Sequence, residues 1–336
     1  MNLSLPRFAL RFAAPLLAGL LACAAGIVNA AELKEIRIAV PDLSAGPQKS
    51  GTGVTDVLRS QQLLEQAFAA DGIKVQWNFF KGAGPAINEA LANGQVDVAY
   101  LGDLAAIIGK ANGLDTRLLS ATGRGIKQYL AVAPDSGIKT LADLKGKRVA
   151  IFRGTAYQLS FAAALASQGL KEKDLKVINL DINAAVAALG ARQIDATWGS
   201  ASLNSLRERG LAEIPLNTLD LGGAGSIQSV LLGYGPFIDA HPQAVDKLLK
   251  ANAQALHWLQ QESNRQAYIG LVAELANYPQ AVLQDDLKGL DLSVRFDSRL
   301  DPEFLASLQK SVDLAAEQRL VRKPFKVSEW VSDKAL

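Results

Sequence analysis

The 336-residue sequence predicts an α/β protein made of two similar lobes. Three observations carry that expectation. Short apolar β-type runs alternate with amphipathic helical stretches through most of the chain, the pattern of parallel sheets with crossover helices. One strand-turn phrase occurs twice in the same relative place. Beyond Tyr234 the alternation gives way to long helices alone.

The order of elements follows from periodicity. Strands are expected at Ile36–Val40, Val75–Phe79, Val96–Leu101, Arg117–Ala121, Tyr129–Ala133, Arg148–Phe152, Lys176–Asn179, Ile194–Trp198 and Ser229–Tyr234, each a short run of mainly apolar residues. Helices are expected between them at Val57–Ala70, Pro85–Ala92, Leu104–Ala111, Tyr157–Ser167, Ala184–Leu189 and Ser202–Arg209. The repeat pairs Ala90-Leu91-Ala92-Asn93-Gly94-Gln95-Val96-Asp97 with Ala188-Leu189-Gly190-Ala191-Arg192-Gln193-Ile194-Asp195, and Ile36–Val40 with Lys147–Ile151. Chance reuse of such short phrases in α/β proteins is the competing account, so the repeat supports two lobes without deciding them. The C-terminal helices, Pro236–Glu262, Arg265–Ala276, Pro279–Leu287 and Pro302–Arg319, are expected to wrap the first lobe. That gives a first lobe of residues 31–127 plus 229–336 and a second of 128–228, joined through the strands Tyr129–Ala133 and Ser229–Tyr234 as a two-strand hinge.

Residues 1–30 read as a secretory signal peptide. Arg7 and Arg11 precede the apolar stretch Phe12–Ile27, and Val28-Asn29-Ala30 supplies small residues for cleavage after Ala30. A signal anchor is the rival, but the stretch is rich in Ala and Gly and short of the ~20 strongly apolar residues that span a bilayer. A lipid anchor is the other, since Leu20-Leu21-Ala22-Cys23 loosely matches a lipoprotein box. Export places the chain in the periplasm.

Cleavage removes Cys23, the only cysteine, and with it any disulfide or thiolate metal site. The formal charge of +2 falls to zero with Arg7 and Arg11, and no basic cluster remains as a nucleic-acid footprint. No nucleic-acid partner and no cofactor are expected, and a monomer is. The only histidines, His241 and His257, fall in the C-terminal helical half rather than after a strand end, which argues against catalysis.

Three phrases tie the sequence to a family: Ile36-Arg37-Ile38-Ala39-Val40; the turn Asn93-Gly94-Gln95-Val96-Asp97 leading to Gly102-Asp103; and Leu141-Ala142-Asp143-Leu144-Lys145-Gly146-Lys147-Arg148-Val149-Ala150 leading to Arg153-Gly154-Thr155. In these the chain resembles the substrate-binding proteins of aliphatic sulfonate, taurine, sulfate-ester and nitrate ABC importers. The resemblance spans most of the chain after residue 30. It implies the type II periplasmic binding protein fold, a small anionic ligand held between the lobes, and a membrane permease and its ATPase as partners. Trp198-Gly199-Ser200 departs from the Trp-Asp-Pro that close relatives often carry there, so the particular ligand stays open: sulfonate or sulfate ester first, then taurine, nitrate or a thiamine precursor.

Ligands of open α/β sheets bind beyond the carboxyl ends of the strands. A sulfonate carries a permanent charge and donates no proton, so its site must present donors only. The candidates are Ser44 and Gln48 in the polar loop 42–53, Gly102 and Asp103, Thr122 and Gly123, Arg153, Gly154, Thr155 and Ala156 at a helix start, and Trp198 and Ser200. Arg153 ranks above Arg124 as a cation for the anion because it opens the same turn as Gly154-Thr155. Asp103 is read first as the N-cap of the helix from Leu104, becoming a ligand contact if the solute bears an amine, as taurine does. Trp198 reads equally as a wall for the ligand's tail or as core.

Overall fold

The computed structural model describes residues 33–335 and Met1; the expected leader, its cleavage site and Cys23 lie outside the described residues. Among the described residues ten strands form two five-stranded sheets. The first contains β1 (Glu35–Pro41), β2 (Lys74–Phe80), β3 (Val98–Gly102), β4 (Thr116–Ile126) and β10 (Ile227–Tyr234), in the order β2-β1-β3-β10-β4. The second contains β5 (Tyr129–Val132), β6 (Arg148–Ile151), β7 (Lys176–Asn179), β8 (Ala196–Gly199) and β9 (Glu213–Asn217), in the order β7-β6-β8-β5-β9.

Each sheet has a parallel trio. β1 pairs with β2 and β3, with Ile38 opposite both Trp77 and Val98, and β6 pairs with β7 and β8. Helices connect successive parallel strands of each sheet: α1 (Gly53–Ser60) with α2 (Leu63–Ala69), α3 (Ala83–Ala92), α4 (Asp103–Ala111), α5 (Ala156–Ser167), α6 (Ile182–Gly190) and α7 (Asn204–Glu208). β10 and β5 run antiparallel to their neighbours. The chain leaves the first sheet after Ile126, enters the second at Tyr129, and returns between Asn217 and Ile227.

The sequence repeat has a physical meaning here. Arg37 on β1 donates its backbone N–H to Asp97 Oδ2 at 2.7 Å and its Nη2 to Oδ1 at 2.5 Å. Arg148 on β6 treats Asp195 alike, at 2.7 Å for both bonds. Each aspartate fastens the start of its own strand to the neighbouring one, a charge-assisted bidentate clamp that sets register. These aspartates therefore pin strands together as well as closing a turn.

The remaining helices are α8 (Gly235–Ala240), α9 (Pro242–Gln260), α10 (Arg265–Ala276), α11 (Gln280–Leu287), α12 (Leu292–Arg295) and α13 (Pro302–Glu317). They pack on the first sheet. Val245, Leu248 and Leu256 of α9 join Ile36, Ile38 and Val57 in one core. On the opposite face Phe304, Leu308 and Val312 of α13 join Leu104, Ile107 and Leu118. Trp330, 1 % exposed, closes that layer with its Nε1 donating to Thr116 Oγ1 at 3.3 Å. The second sheet has smaller cores around Phe161 and Leu189. Among the described residues no helix is long and apolar enough to cross a membrane.

Candidate functional site

The carboxyl ends of the parallel strands in both sheets open on one cavity of about 190 Å³. The half built on the first sheet supplies Thr52, Gly102, Thr122, Ser229, Tyr268 and Arg295. The half built on the second supplies Thr155, Ala156, Tyr157 and Ser200, and Gln128 sits on the wall where the chain passes between sheets.

Two helix starts shape the wall. At α5, Gly154 adopts φ +74°, a left-handed turn that suits glycine, and its N–H donates to Gln158 Oε1 at 2.9 Å. The hydroxyl of Thr155 is spent on Phe152 O at 2.7 Å and no side chain caps the helix. The first-turn N–H groups of Ala156 and Tyr157 are thus left for an acceptor in the cavity, where the helix dipole favours negative charge. At α1, Thr52 takes φ 58°, ψ 176°, a region populated essentially by glycine that costs about 1–3 kcal/mol. Asp56, fully buried, holds this turn: its carboxylate accepts from Ser50 Oγ at 2.5 Å and Gly51 N at 3.2 Å. Burial pushes the Asp56 carboxyl up to about 6 against those two bonds.

Several donors on the wall are unspent. Tyr268 Oη accepts from Gly53 N at 3.0 Å, which leaves its own proton free to point into the cavity. Thr122 and Ser229 sit on the adjacent strands β4 and β10, Ser229 registered with Gly123. Arg295, at the end of α12, donates one Nη to Arg124 O at 3.0 Å, while its Nε is buried with no partner. Burial lowers the Arg295 pKa, and the carboxylate of Asp286 is the chief influence raising it again. Gln128 Oε1 is likewise buried without a partner. Val40, Ile126, Ile227 and Phe296 supply apolar surface on the same wall.

Of the residues expected from sequence, Gly102, Thr122, Gly123, Thr155, Ala156 and Ser200 line this cavity. The others do not. Ser44 turns its hydroxyl to Asp42 Oδ1 at 2.7 Å, and Gln48 is exposed to solvent. Arg153 is held over β7 by its N–H bond to Asn179 Oδ1, and its guanidinium runs outward to Glu172 at 3.4 Å. Gly154 sits behind the wall against Pro85. Trp198 is core: 3 % exposed, it donates Nε1 to Ser160 Oγ at 2.8 Å and packs 5.7 Å from the ring of Phe161.

Asp103 is the first residue of α4, with Gly102 in the N-cap position, so the expected cap is displaced by one residue. Its carboxylate accepts from Leu104 N at 2.8 Å and Ser311 Oγ at 3.1 Å, facing α13 instead of the cavity, and burial raises its pKa to about 6. Arg295, Tyr268, Gln128 and Ser229 were not anticipated. Ser229 and Gln128 adjoin the two crossings between sheets, a place sequence reading could have searched. Arg295 and Tyr268 arrive with the returning helices and have no local signature.

Comparison with known proteins agrees with this architecture. Residues 67–265 match the family described as NMT1/THI5 like. A protein of Escherichia coli K12 named for binding aliphatic sulfonates is 30 % identical over 297 residues, 86 % of this chain and 88 % of that one. The alkanesulfonate-binding protein SsuA of Xanthomonas axonopodis pv. citri, solved bound to MOPS, superposes with a TM-score of 0.75 at 26 % identity over 90 % of this chain and 99 % of that one. The desulfurization enzyme DSZB, at 16 % identity and a TM-score of 0.64 over 89 % of this chain and 96 % of that one, shares the fold alone. With its two sheets, its cavity at their facing strand ends and a match over more than half its length, the chain belongs to the NMT1/THI5-like family.

Proposed function

We propose that this chain is the periplasmic solute-binding component of an ABC importer, and that it captures an alkanesulfonate or sulfate ester between residues 31–127 plus 229–336 on one side and 128–228 on the other. The observation that carries the reading is the character of the wall: hydroxyls at Thr122, Ser229 and Tyr268, helix-start N–H groups at Ala156 and Tyr157, and the Arg295 guanidinium, with no carboxylate among the lining residues. Such a surface suits a permanent oxyanion. A hydrogen bond to a charged group is worth about 1.5–3 kcal/mol, so three or four support micromolar binding after ordering costs. The apolar patch of Val40, Ile126 and Phe296 suits an organic tail, which favours a sulfonate over nitrate.

Because donors come from both halves, the closed form gains contacts that the open form lacks. Ligand therefore shifts the population toward closure, the state for a permease and its ATPase to receive. A receptor rather than an enzyme is supported by the relatives named as binding proteins.

The test is thermal unfolding of ligand-stripped protein with alkanesulfonates, sulfate esters, taurine, sulfate and nitrate. Ligand at a hundred times its dissociation constant stabilises by about 2.7 kcal/mol, a shift of a few degrees. A shift with a sulfonate or sulfate ester supports the reading. No shift with any of these anions overturns it.

A further inference from the structure

Two residues that line the cavity each carry a buried polar atom with no partner among the described residues: Arg295 Nε, a donor, and Gln128 Oε1, an acceptor. An oxyanion answers the first. The second asks for a hydrogen, and a sulfonate group has none to give. Gln128 is 1 % exposed, so its oxygen is shut away from bulk solvent. A buried acceptor without a partner carries a desolvation cost that an arriving donor recovers.

The nitrogen of the same amide fixes which way the group faces. Gln128 Nε2 donates to Lys127 O at 2.6 Å and to Ile126 O at 3.4 Å. A carbonyl only accepts, so turning the amide over would set oxygen against oxygen. The main chain is held as firmly: Gln128 N donates to Thr218 Oγ1 at 3.3 Å, and Thr218 N donates to Gln128 O at 2.9 Å. Those bonds tie one passage between the sheets to the other. Gln128 Oε1 is therefore a fixed acceptor beside a set of donors that suit an anion.

We propose that Gln128 Oε1 accepts a hydrogen bond from a hydroxyl on the tail of the bound sulfonate, which makes the chain selective for hydroxyalkanesulfonates over plain alkanesulfonates. The inference rests on the anion reading above and adds a second polar group to the ligand. An ammonium would also donate, but the lining residues include Arg295 and no carboxylate, and a buried cation without a counter-charge is costly. A neutral hydroxyl satisfies Oε1 without that cost. Ile126, two residues from Gln128, and Phe296, next to Arg295, line the same cavity and offer apolar surface to the carbons between head and hydroxyl.

Calorimetric titration of 2-hydroxyethanesulfonate against propanesulfonate, in which a methyl replaces the hydroxyl, tests this, with taurine as the ammonium arm. Wild type should bind the hydroxy compound at least about tenfold more tightly than propanesulfonate, and more tightly than taurine. Gln128→Met removes the acceptor while keeping an unbranched side chain of similar length, and should bring the ratio of hydroxy compound to propanesulfonate close to one. Gln128→Glu keeps an acceptor and adds a negative charge, which should move the preference toward taurine. A wild type that binds propanesulfonate as well as the hydroxy compound, one that favours taurine, or a hydroxyl preference that survives in Gln128→Met overturns the proposal and leaves the anion reading intact. If Gln128→Met does not fold, the direction of the taurine ratio in Gln128→Glu decides. A wild type that binds none of the three overturns this inference, and the anion reading falls with it when longer sulfonates, sulfate esters, sulfate and nitrate also fail to bind.

Discussion

Gly102, at the end of β3 in the first sheet, faces Ala156, the first residue of α5 on the second, so closely that a Cβ on Gly102 would lie 2.6 Å from the Ala156 methyl. A Cβ on Gly154 would likewise stand 3.0 Å from Pro85 Cγ. The two halves meet through glycines because any side chain there would wedge them apart. Gly102→Val is therefore expected to weaken ligand binding at least about tenfold while leaving unfolding of the unliganded protein little changed. Titration calorimetry with the best ligand, alongside small-angle scattering with and without it, checks this; a variant that binds and compacts like wild type refutes it.

Arg295 makes the opposite kind of prediction. Its Nε is buried unpaired, a group whose desolvation is uncompensated until an acceptor arrives. Arg295→Met should cost about 2–4 kcal/mol of ligand binding and should not lower the melting temperature of the unliganded protein. Arg295→Lys restores charge without the planar fork and should recover only part of the affinity. An unliganded melting temperature that falls as far as the affinity would recast Arg295 as a structural residue.

The fold was legible in sequence wherever local pattern matches burial. The strands from Ile36 to Tyr234 were found because each is a compact apolar run in a mostly buried sheet. β9 was missed because Glu213-Ile214-Pro215-Leu216-Asn217 carries a proline, which speaks against a strand except at an edge, and β9 is an edge strand. The expected helix Val57–Ala70 is two helices, parted at Gln62 with φ 52°, where no glycine or proline gives warning. In the site, Gly102, Thr155 and Ala156 were legible because the strand-end rule is local and repeats in each half. Arg295 was not: it reaches the cavity through the packing of the C-terminal helices, which periodicity does not encode. Arg153 was misranked for the same reason, since sequence places a residue at a turn without saying which way its side chain leaves.

Asp103 predicts a pH signature. Burial raises its carboxyl from 3.8 to about 6 despite the bonds from Leu104 and Ser311. Above pH 6 the group is ionised in both folded and unfolded protein, and the fold bears the full cost of a buried charge. Between about 6 and 4 the folded state takes up the proton while the unfolded state is still ionised, so this cost fades as pH falls; below 3.8 it is gone. Asp103→Asn, which preserves the acceptor for Leu104, should therefore stabilise by up to about 3 kcal/mol at neutral pH and by progressively less toward pH 4. Denaturant unfolding of both proteins across that range is the measurement, and a difference independent of pH would contradict it.

Arg124 and Arg153 both read in sequence as cations beside strand ends, with Arg153 ranked first, and the structure separates them the other way. Arg124, its side chain 13 % exposed, donates Nε to Asp297 O at 3.1 Å and Nη2 to Arg299 O, pairs with Asp301 at 2.8 Å and lies 4.9 Å over the ring of Phe304. It fastens β4 to the segment that carries Arg295 and opens α13. Arg153, with a side chain 47 % exposed, meets only Glu172 at 3.4 Å beyond its backbone bond to Asn179. Arg124→Ala leaves partly buried carboxylates without their cation and should cost about 3–5 kcal/mol of stability, with ligand affinity falling as Arg295 loses its support. Arg153→Ala should change stability by no more than about 0.5 kcal/mol and leave affinity as it was. Chemical denaturation and calorimetry on the pair decide the matter: loss of affinity in Arg153→Ala with stability intact would return that arginine to the site, because an exposed ion pair on the outer face has no other route to the ligand.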